Sequence, residues 1–450
     1  MRKTKGMLPL TIAVGCALLY ADQVSSQSLS AAFHARDPGV RPGAAAAGEP
    51  LAGITAHELE YFLAGKEDFE EAEDVADGLG PTMNLDGCGG CHSQPAIGGS
   101  SPPLNPQVAF ATRLGARNIL PTFIRADGPV REARFVKNAD GSADGGVHAL
   151  FTIAGRSDAP GCNLAQEDFA AQQNRRNVVF RIPTPLFGAG LMEQIPDAAI
   201  RSNAASKAAA KQALGIRGVP NRNGNDGTIA RFGWKAQNKS LLLFAGEAYN
   251  VEMGISNELF QNERDESATC NWAGGPNDAI DTESTTTTGA LSAIQRFAVF
   301  QRLLAPPVPS ADTPGGAESI TRGKGLFTSV GCAYCHTPSL MTGNSTIAAL
   351  RNQTANLYSD LLVHDMGPDL ADGVAQGQAN GRSFRTAPLW GLGQRVFFLH
   401  DGRSRDLLET IAAHKSGGAS GGSEANAVVG QFNNLAEQRK QDLVNFLRSL

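Results

Sequence analysis

The sequence is poor in charged residues and has no basic cluster. Lys and Arg together number 39 against 44 Asp and Glu, charged residues make up 18% of the chain, and the formal net charge is −5. A mildly acidic chain without a basic patch lacks the electrostatic footprint of nucleic-acid binding, so we expect no nucleic-acid partner. Hydrophobic residues reach 42%, which is enough for a packed core and argues against general disorder.

Apolar runs that could cross a bilayer are also missing after the N-terminus. The apolar residues 7–20 are too few for a comfortable span, and a basic stretch at residues 2–5 precedes them. This order predicts a signal peptide over residues 1–26 and a periplasmic protein. Cys16 leaves a lipoprotein anchor open as a second interpretation, which the apolar residues after Cys16 disfavour.

Histidine is scarce, with eight in 450 residues, yet two of them directly follow Cys-x-x-Cys pairs. "CGGCH" and "CAYCH" have the spacing of c-type haem attachment, in which two thiols bind the porphyrin and the histidine ligates iron. A zinc ribbon would place its pairs close together, and a redox dithiol needs no following histidine. We therefore predict two covalently bound haem c groups, held by Cys88, Cys91 and His92 and by Cys332, Cys335 and His336.

Two further cysteines remain after the signal peptide is removed. Cys162 and Cys270 belong to neither pentad. Because an exported protein folds in an oxidising compartment, we predict that they form a disulfide.

Helical patterns flank both pentads. Residues 56–72 and 316–336 show helical apolar spacing before the cysteines, and residues 291–307 and 435–450 form amphipathic helices at the end of each half. These patterns predict a mainly α fold of two tandem cytochrome-c-like domains with long loops. The predicted boundaries are a flexible N-terminal segment 27–50, a first domain 51–305, a linker 306–315 and a second domain 316–450.

The first predicted domain is longer than the second because of an insertion at 93–179. "REARFVKN" and "VHALFTIAG" within it alternate like short strands and predict a small β-hairpin. Outside the insertion the halves repeat, since "FRIPTPLFGAG" from Phe180 matches "FRTAPLWGLG" from Phe384. "WKAQNKSLLLFAGEA" also aligns with "HDGRSRDLLETIAAH", which places Trp234 opposite His400. We interpret the chain as a duplicated domain with diverged sites.

Several segments resemble one known family. "CGGCHSQPAIGG", "LFGAGLMEQIPD", "RFGWKAQ", "VEMGISN", "LLVHDMGPDLADG" and "PLWGLGQRVFFLHDGR" are similar to the diheme c-type oxidoreductases, to which peroxidase or thiol oxidoreductase activity is attributed. More distantly, "VEMG" and "FLHDG" resemble the bacterial diheme cytochrome c peroxidases, MauG and the rubber oxygenases. In those relatives one haem binds peroxide or oxygen and the other relays electrons.

The resemblance assigns a sixth ligand to the second haem. The peroxidases place it fourteen residues after the histidine of the "HDG" element, which is His414 in this sequence. A His336/His414 pair would close the iron and suit it to electron transfer. Met366 is the alternative ligand, whereas His364 and His400 are expected to make supporting contacts.

The first haem is expected to be open on its distal side. The peroxidases carry a second histidine sixteen residues after the pentad, where this chain has Val108, and residues 93–147 contain no histidine. An open haem binds peroxide or oxygen. By the same resemblance Glu252 matches the catalytic carboxylate, which moves a proton between the peroxide oxygens, and Glu193 is a weaker candidate.

Aromatic and cationic residues complete the predicted sites. Trp234 and Trp390 are candidates for packing against the haems or for bridging them. A Ca²⁺ ion between the domains, as in relatives, is left open, although no acidic loop requires it. Four cationic residues are candidate partners of the haem propionates: Arg231, Lys235, Arg385 and Arg403.

The sequence therefore predicts a periplasmic diheme oxidoreductase of cytochrome c peroxidase type, with a small redox protein or another electron donor as partner. Its oxidising substrate would be peroxide, or O2 in the alternative of an oxygenase or an enzyme that modifies a partner protein. A non-enzymatic diheme electron carrier is a further alternative, and a homodimer is left open.

Overall fold

A computed structural model describes residues 33–42, 45–115, 120–262, 267, 269–270, 275–417 and 421–450. The predicted signal peptide 1–26 and Cys16 lie outside the described residues. Ala35–Leu450 form one compact unit. The predicted domain boundaries within this unit remain predictions.

Helices dominate the described part of the chain, with long loops and short strands between them. Their bounds are α1 Ala56–Glu70, α2 Cys88–Cys91, α3 Gln107–Arg113, α4 Phe169–Asn174, α5 Ala189–Glu193, α6 Asp197–Ala205, α7 Ala208–Ala213, α8 Leu241–Met253, α9 Ala293–Leu303, α10 Ala317–Val330, α11 Leu407–Ala413, α12 Asn426–Asn433 and α13 Glu437–Ser449. Three 3-10 turns lie at Cys332–Tyr334, Ala348–Leu350 and Leu392–Gln394. The fold is helix-rich with small sheets, as the sequence predicted.

A closely crossing helix pair supports each pentad. The helix before the pentad packs against the helix that ends the same half, α1 against α9 and α10 against α13. A Cβ atom on Gly65 would overlap the carbonyl oxygen of Arg296, and one on Gly323 would overlap that of Asp442. Glycine at each crossing therefore allows the backbones to approach closely, and all four helices match segments that the sequence predicted to be helical.

Ion pairs secure both crossings. Arg296 of α9 donates to Asp68 of α1 at 2.8 Å, and Arg322 of α10 donates to Asp442 of α13 at 2.8 Å. At its other end α1 begins with a capping box, in which the Thr55 hydroxyl accepts the backbone N–H of Glu58 and the Glu58 carboxylate accepts that of Thr55. The two halves therefore use the same helix pairing, each with its own charges.

The strands are short and form four small antiparallel sheets: β1 Thr82–Met83 with β4 Phe151–Thr152, β3 Val147–His148 with β2 Glu132–Phe135 and β5 Val178–Arg181, β6 Leu340–Met341 with β7 Thr354–Ala355, and β8 Val363–Asp365 with β9 Ser383–Arg385. The predicted hairpin in the insertion is only partly correct. β2 and β3 pair as predicted, and β5 pairs with the other edge of β2. β4 belongs to a different sheet, where it pairs with β1. The sequence alternation identified the strands and the β2–β3 pair, but not the pairing of β4 with β1 or of β2 with β5.

Residues 35–42, here called the N-terminal strap, lie along the second half. The carboxylate of Asp37 accepts two hydrogen bonds from the buried guanidinium of Arg448 in α13, each 2.7 Å long. It also accepts the backbone N–H of Leu407, the first residue of α11, at 2.8 Å. This part of the predicted flexible segment 27–50 is therefore held by charged and backbone contacts.

Cys162 and Cys270 form the predicted disulfide, which confirms their pairing. The bridge lies in the apolar core of the first half, where both residues are buried. Among the described residues, no helix has the length and apolar composition needed to cross a bilayer.

Candidate functional site

The first pentad opens into a cavity between α1, α8 and α9. Cys88 and Cys91 begin and end the short helix α2, and His92 follows directly, so that all three side chains line the cavity. Phe69 of α1 lies beside His92, with the ring centroids 5.9 Å apart. The crossing of α1 with α9 thus forms the wall behind the pentad.

A backbone contact orients His92. Its Nδ1 donates to the carbonyl oxygen of Gly99 at 2.9 Å. Burial lowers the pKa of His92 to about 4, so the ring stays neutral at physiological pH. A neutral ring that donates through Nδ1 keeps Nε2 free as a metal ligand.

Glu252 lines the same cavity from the last turn of α8. Ser240 caps the start of α8, and Gly254 ends it in the left-handed conformation. The carbonyl oxygen of Glu252 accepts the backbone N–H of Asn84 at 2.7 Å, which ties this turn to the segment just before the pentad. Helix length and this contact together place the carboxyl group beside the pentad.

Burial keeps the Glu252 carboxyl group protonated at neutral pH. Desolvation raises its pKa well above the usual range, the nearby Glu132 raises it further, and Arg134 opposes the change. Glu132 and Arg134 come from β2 and form an ion pair of 2.7 Å at the cavity wall. The arrangement gives a carboxylic acid that can release and retake a proton beside a fixed pair of charges.

Histidine is otherwise missing from the described lining of the first cavity. The lining includes Gln107 of α3, but Val108 next to it does not line the cavity. His148 lies elsewhere, bonded to Asp144 at 2.9 Å and stacked on Phe135. Of the lining residues that the structure describes, His92 alone carries an imidazole.

The second pentad opens into a second cavity, to which α11, α12 and α13 contribute. His336 repeats the arrangement of His92, since its Nδ1 donates to the carbonyl oxygen of Tyr358 at 3.0 Å. His414 follows α11, lines the same cavity and donates through Nδ1 to the carbonyl oxygen of Thr410 at 2.7 Å. Both rings therefore keep Nε2 free.

His336 and His414 lie close to each other within the second cavity. Burial, followed by the proximity of His414, lowers the pKa of His336 to about 4. Burial also lowers the pKa of His414. Two neutral imidazoles with free Nε2 atoms are the donor set of a six-coordinate haem.

The other candidates in the second cavity are less free to bind iron. Both ring nitrogens of His364 are occupied, one by Glu424 at 2.8 Å and the other by Asp360 at 3.0 Å. His400 stacks on Phe384, with the ring centroids 4.3 Å apart. Met366 packs into an apolar cluster that includes Trp234 and Phe384.

The two candidate tryptophans lie in different surroundings. Trp234 lines both cavities, and its indole N–H donates to the carbonyl oxygen of Ile182 at 2.8 Å. Trp390 is absent from the described lining of either cavity and packs against Gly188, where any side chain would overlap its ring. The structure thus brings only Trp234 between the two predicted haem sites.

The four cationic candidates also separate. Arg385 lines the second cavity, whereas Arg231 pairs with Asp197 at 2.6 Å and Arg403 with Asp401 at 2.6 Å. Lys235 is fully buried and pairs with Asp372 at 2.9 Å. Glu193, the weaker catalytic candidate, pairs with Arg302 at 2.6 Å and does not belong to the described lining of either cavity.

Sequence reasoning assigned no role to two charged residues that line the cavities. Arg395 lines the second cavity and Glu132 the first, and although both fall in segments that the sequence singles out, no motif gives either of them a function. Arg395 follows the repeated Phe-Arg element by ten residues, and only the fold places its side chain at the cavity. The alternation of "REARF" was a usable signal for Glu132, because it predicted a strand with one buried face.

The residues of each cavity fit a haem. All four pentad cysteines are unpaired, and burial raises the pKa of Cys88 and Cys332, which is the opposite of what a reactive dithiol requires. Among the described residues, no three His, Cys, Asp or Glu side chains cluster as a metal site. Each cavity instead offers two thiols and a histidine oriented by a backbone carbonyl oxygen, and the second cavity adds His414.

The sequence model of one family, described as "Di-haem oxidoreductase, putative peroxidase", matches residues 130–450. The chain belongs to this family of haem-containing oxidoreductases. The match includes the second pentad and Glu252 and begins after the first pentad. No curated protein matches the sequence.

Two solved structures show a slight likeness. A hydrazine synthase of Kuenenia stuttgartiensis is 18% identical with a TM-score of 0.22, over 37% of this chain and 56% of that one. A MauG-like protein associated with microbial copper homeostasis is 19% identical with a TM-score of 0.29, over 60% of this chain and 90% of that one. The chain thus spans little more than half the length of the hydrazine synthase chain. At these scores neither likeness bears on function.

Proposed function

We propose that the protein is a periplasmic c-type diheme oxidoreductase of peroxidase type. One observation carries the proposal, namely the difference between its cavities. The first combines a single histidine with the buried acid Glu252, whereas the second holds two neutral histidines close together. An open iron beside an acid suits peroxide chemistry, and a closed iron suits electron relay.

Haems attached at the two pentads would supply iron that exchanges electrons with peroxide and with a donor. Reduction of hydrogen peroxide to two waters also consumes two electrons and two protons. Glu252, which is protonated before the reaction, is proposed to donate its proton to the peroxide oxygen that leaves as water and to take the proton of the other oxygen in return.

Electrons are proposed to enter through the second cavity from a small redox protein. Trp234 lines both cavities and is fixed at its indole N–H by Ile182 and at its carbonyl oxygen by the N–H of Arg385, 2.8 Å away. A fixed aromatic ring between two redox centres shortens the path for electrons. Trp234→Phe is expected to slow reduction of the first haem by the second and to leave both haem spectra unchanged.

An oxygenase, or an enzyme that modifies a partner protein, is a second candidate. This candidate is favoured by the residues that line the first cavity, several of which come from the insertion. The insertion supplies Gln107, Val130, Arg131, Glu132 and Arg134. Such a lining can shape a site for a substrate larger than peroxide. Product analysis with O2 or H2O2 as the sole oxidant separates this candidate from a peroxidase.

Electron paramagnetic resonance of the ferric protein tests the proposal most directly. We expect one axial high-spin signal from the first haem and one low-spin signal from the second, together with peroxide turnover when a reduced donor is present. Two low-spin signals without turnover would instead indicate an electron carrier. Haem that stays with the polypeptide after acid denaturation would establish covalent attachment, and cell fractionation would test export.

A further inference from the structure

Two arginines in the second cavity have no carboxylate partner. Arg385 and Arg395 both line it and are buried, with 7% and 8% of their surface exposed. Arg385 donates only to the carbonyl oxygens of Gly233 and Thr386, and no side-chain contact of Arg395 is found among the described residues. A buried guanidinium ion is costly unless an anion lies close to it.

The two guanidinium groups also lie near each other. Burial, followed by the positive charge of Arg395, lowers the pKa of Arg385 to about 10. Neighbouring like charges in an apolar cavity destabilise the fold unless a ligand neutralises them. The cavity therefore has the electrostatics of an anion site, and two guanidinium groups match a pair of carboxylates.

The duplicated half shows what a neutralised counterpart looks like. Arg181 occupies the position of Arg385 in the sequence repeat and lines the first cavity. It pairs with Asp372 at 2.9 Å and with Gln376 at 2.7 Å. The protein supplies a carboxylate to one copy of the repeated arginine and leaves the other copy to a ligand.

Backbone contacts fix both arginines, and those of Arg385 place it beside Trp234. The backbone N–H of Arg385 donates to the carbonyl oxygen of Trp234 at 2.8 Å, and its Nε donates to that of Gly233 at 2.9 Å. The carbonyl oxygen of Arg395 accepts from Arg448 at 2.9 Å, and the strap residue Asp37 fixes Arg448 in turn. Both arginines therefore extend from anchored backbone.

We propose that Arg385 and Arg395 form a carboxylate-binding site that holds the propionates of the second haem on the side facing Trp234. The site orients the haem edge toward the first cavity, and its positive charge favours the ferrous state of the iron. The inference rests on the proposed function only in requiring a haem in the second cavity, and it does not depend on peroxide chemistry in the first.

Redox titration of the holoprotein tests this site. Arg395→Gln is expected to lower the midpoint potential of the second haem and to change its reduction equilibrium about tenfold. This is the effect of removing one buried charge about 10 Å away at an effective dielectric constant of about 20. Arg395→Lys should restore most of the potential, because the charge is kept. The control Arg439→Gln removes an exposed charge from α13 in the same half and should change nothing.

Resonance Raman spectra provide a second readout. In Arg395→Gln and Arg395→Lys the propionate bending mode of the second haem should shift, because the bidentate contact is lost. Unchanged potential and unchanged Raman spectra in a folded Arg395→Gln protein would overturn the proposal. A wild-type potential that moves when acetate or phosphate is added would also overturn it, since the site would then bind a free anion. Peroxide turnover, measured on the same samples, reports separately on the proposed function.

Discussion

Replacing Glu252 by Gln tests the proposed chemistry of the first cavity. The amide has the size of the carboxyl group, so the packing of α8 and the bond from Asn84 to the Glu252 carbonyl oxygen are kept. What is lost is the group that can accept and return a proton. Glu252 is buried beside the Glu132–Arg134 pair, and the substitution leaves that ion pair in place.

The expected loss follows from the usual contribution of a positioned acid or base. General acid–base groups contribute about a hundred- to ten-thousand-fold, which corresponds to about 3–5 kcal/mol of activation free energy. Turnover of hydrogen peroxide by the reduced Glu252→Gln protein should fall by that factor. The ferric resonance spectrum should stay unchanged, since no ligand has been altered.

Glu193→Gln is the matched control for this experiment. Glu193 pairs with Arg302 and accepts the first backbone N–H of α8 at 2.9 Å, so its loss should reduce stability and not turnover. The reasoning is refuted if Glu252→Gln turns over peroxide at the wild-type rate while Glu193→Gln does too.

The pKa of Glu252 gives the same variant a second signature. A carboxyl group whose pKa is raised in the folded state stabilises the fold below its unfolded value of about 4.5, and this contribution disappears as the pH rises through the folded value. The glutamine variant cannot ionise and avoids this loss. Urea unfolding of the two proteins between pH 5 and pH 9 should therefore show the variant gaining relative stability with rising pH, and a constant difference would contradict the assignment.

Three further outcomes follow from other parts of the structure. His414→Ala should convert the low-spin signal of the second haem to high spin and let carbon monoxide bind both haems, whereas an unchanged low-spin signal would point to Met366 as the ligand. Asp372→Asn should destabilise the protein by about 3–5 kcal/mol in urea unfolding, because Lys235 and Arg181 lose their buried counter-charge; a normal unfolding midpoint would show that these cations find other partners. Cys162→Ser together with Cys270→Ser should cost about 2–5 kcal/mol and lower Tm, since the bridge closes a loop of more than 100 residues; equal Tm values would mean that the apolar core holds this loop unaided.

Local sequence signals were sufficient for the helices and the pentads. The segments around α1, α9, α10 and α13 show helical apolar spacing, and the fixed Cys-x-x-Cys-His order places three side chains at one cavity regardless of the rest of the fold. The disulfide also followed from composition, because only two cysteines remained after export and haem attachment were considered.

Contacts between distant segments could not be read from the sequence. The partner of β4 is β1, which lies before the first pentad, so the alternation within the insertion identified a strand and paired it wrongly. Trp234 and Trp390 looked equivalent as aromatic residues near repeated motifs, yet only the former lines the cavities. Arg395 lines the second cavity because of the position of its loop, which depends on Arg448 and on the N-terminal strap.

The N-terminal strap has a consequence for the order in which the second cavity can form. Asp37 joins the first residue of α11, the helix that leads to His414, to Arg448 in the last helix, although hundreds of residues separate these positions along the chain. During synthesis the strap is made before both helices, so it must wait for α11 and then for α13 before the two contacts can form. Haem attachment at the second pentad can therefore precede docking of the strap, which would then join α11 to α13 around a cofactor already in place.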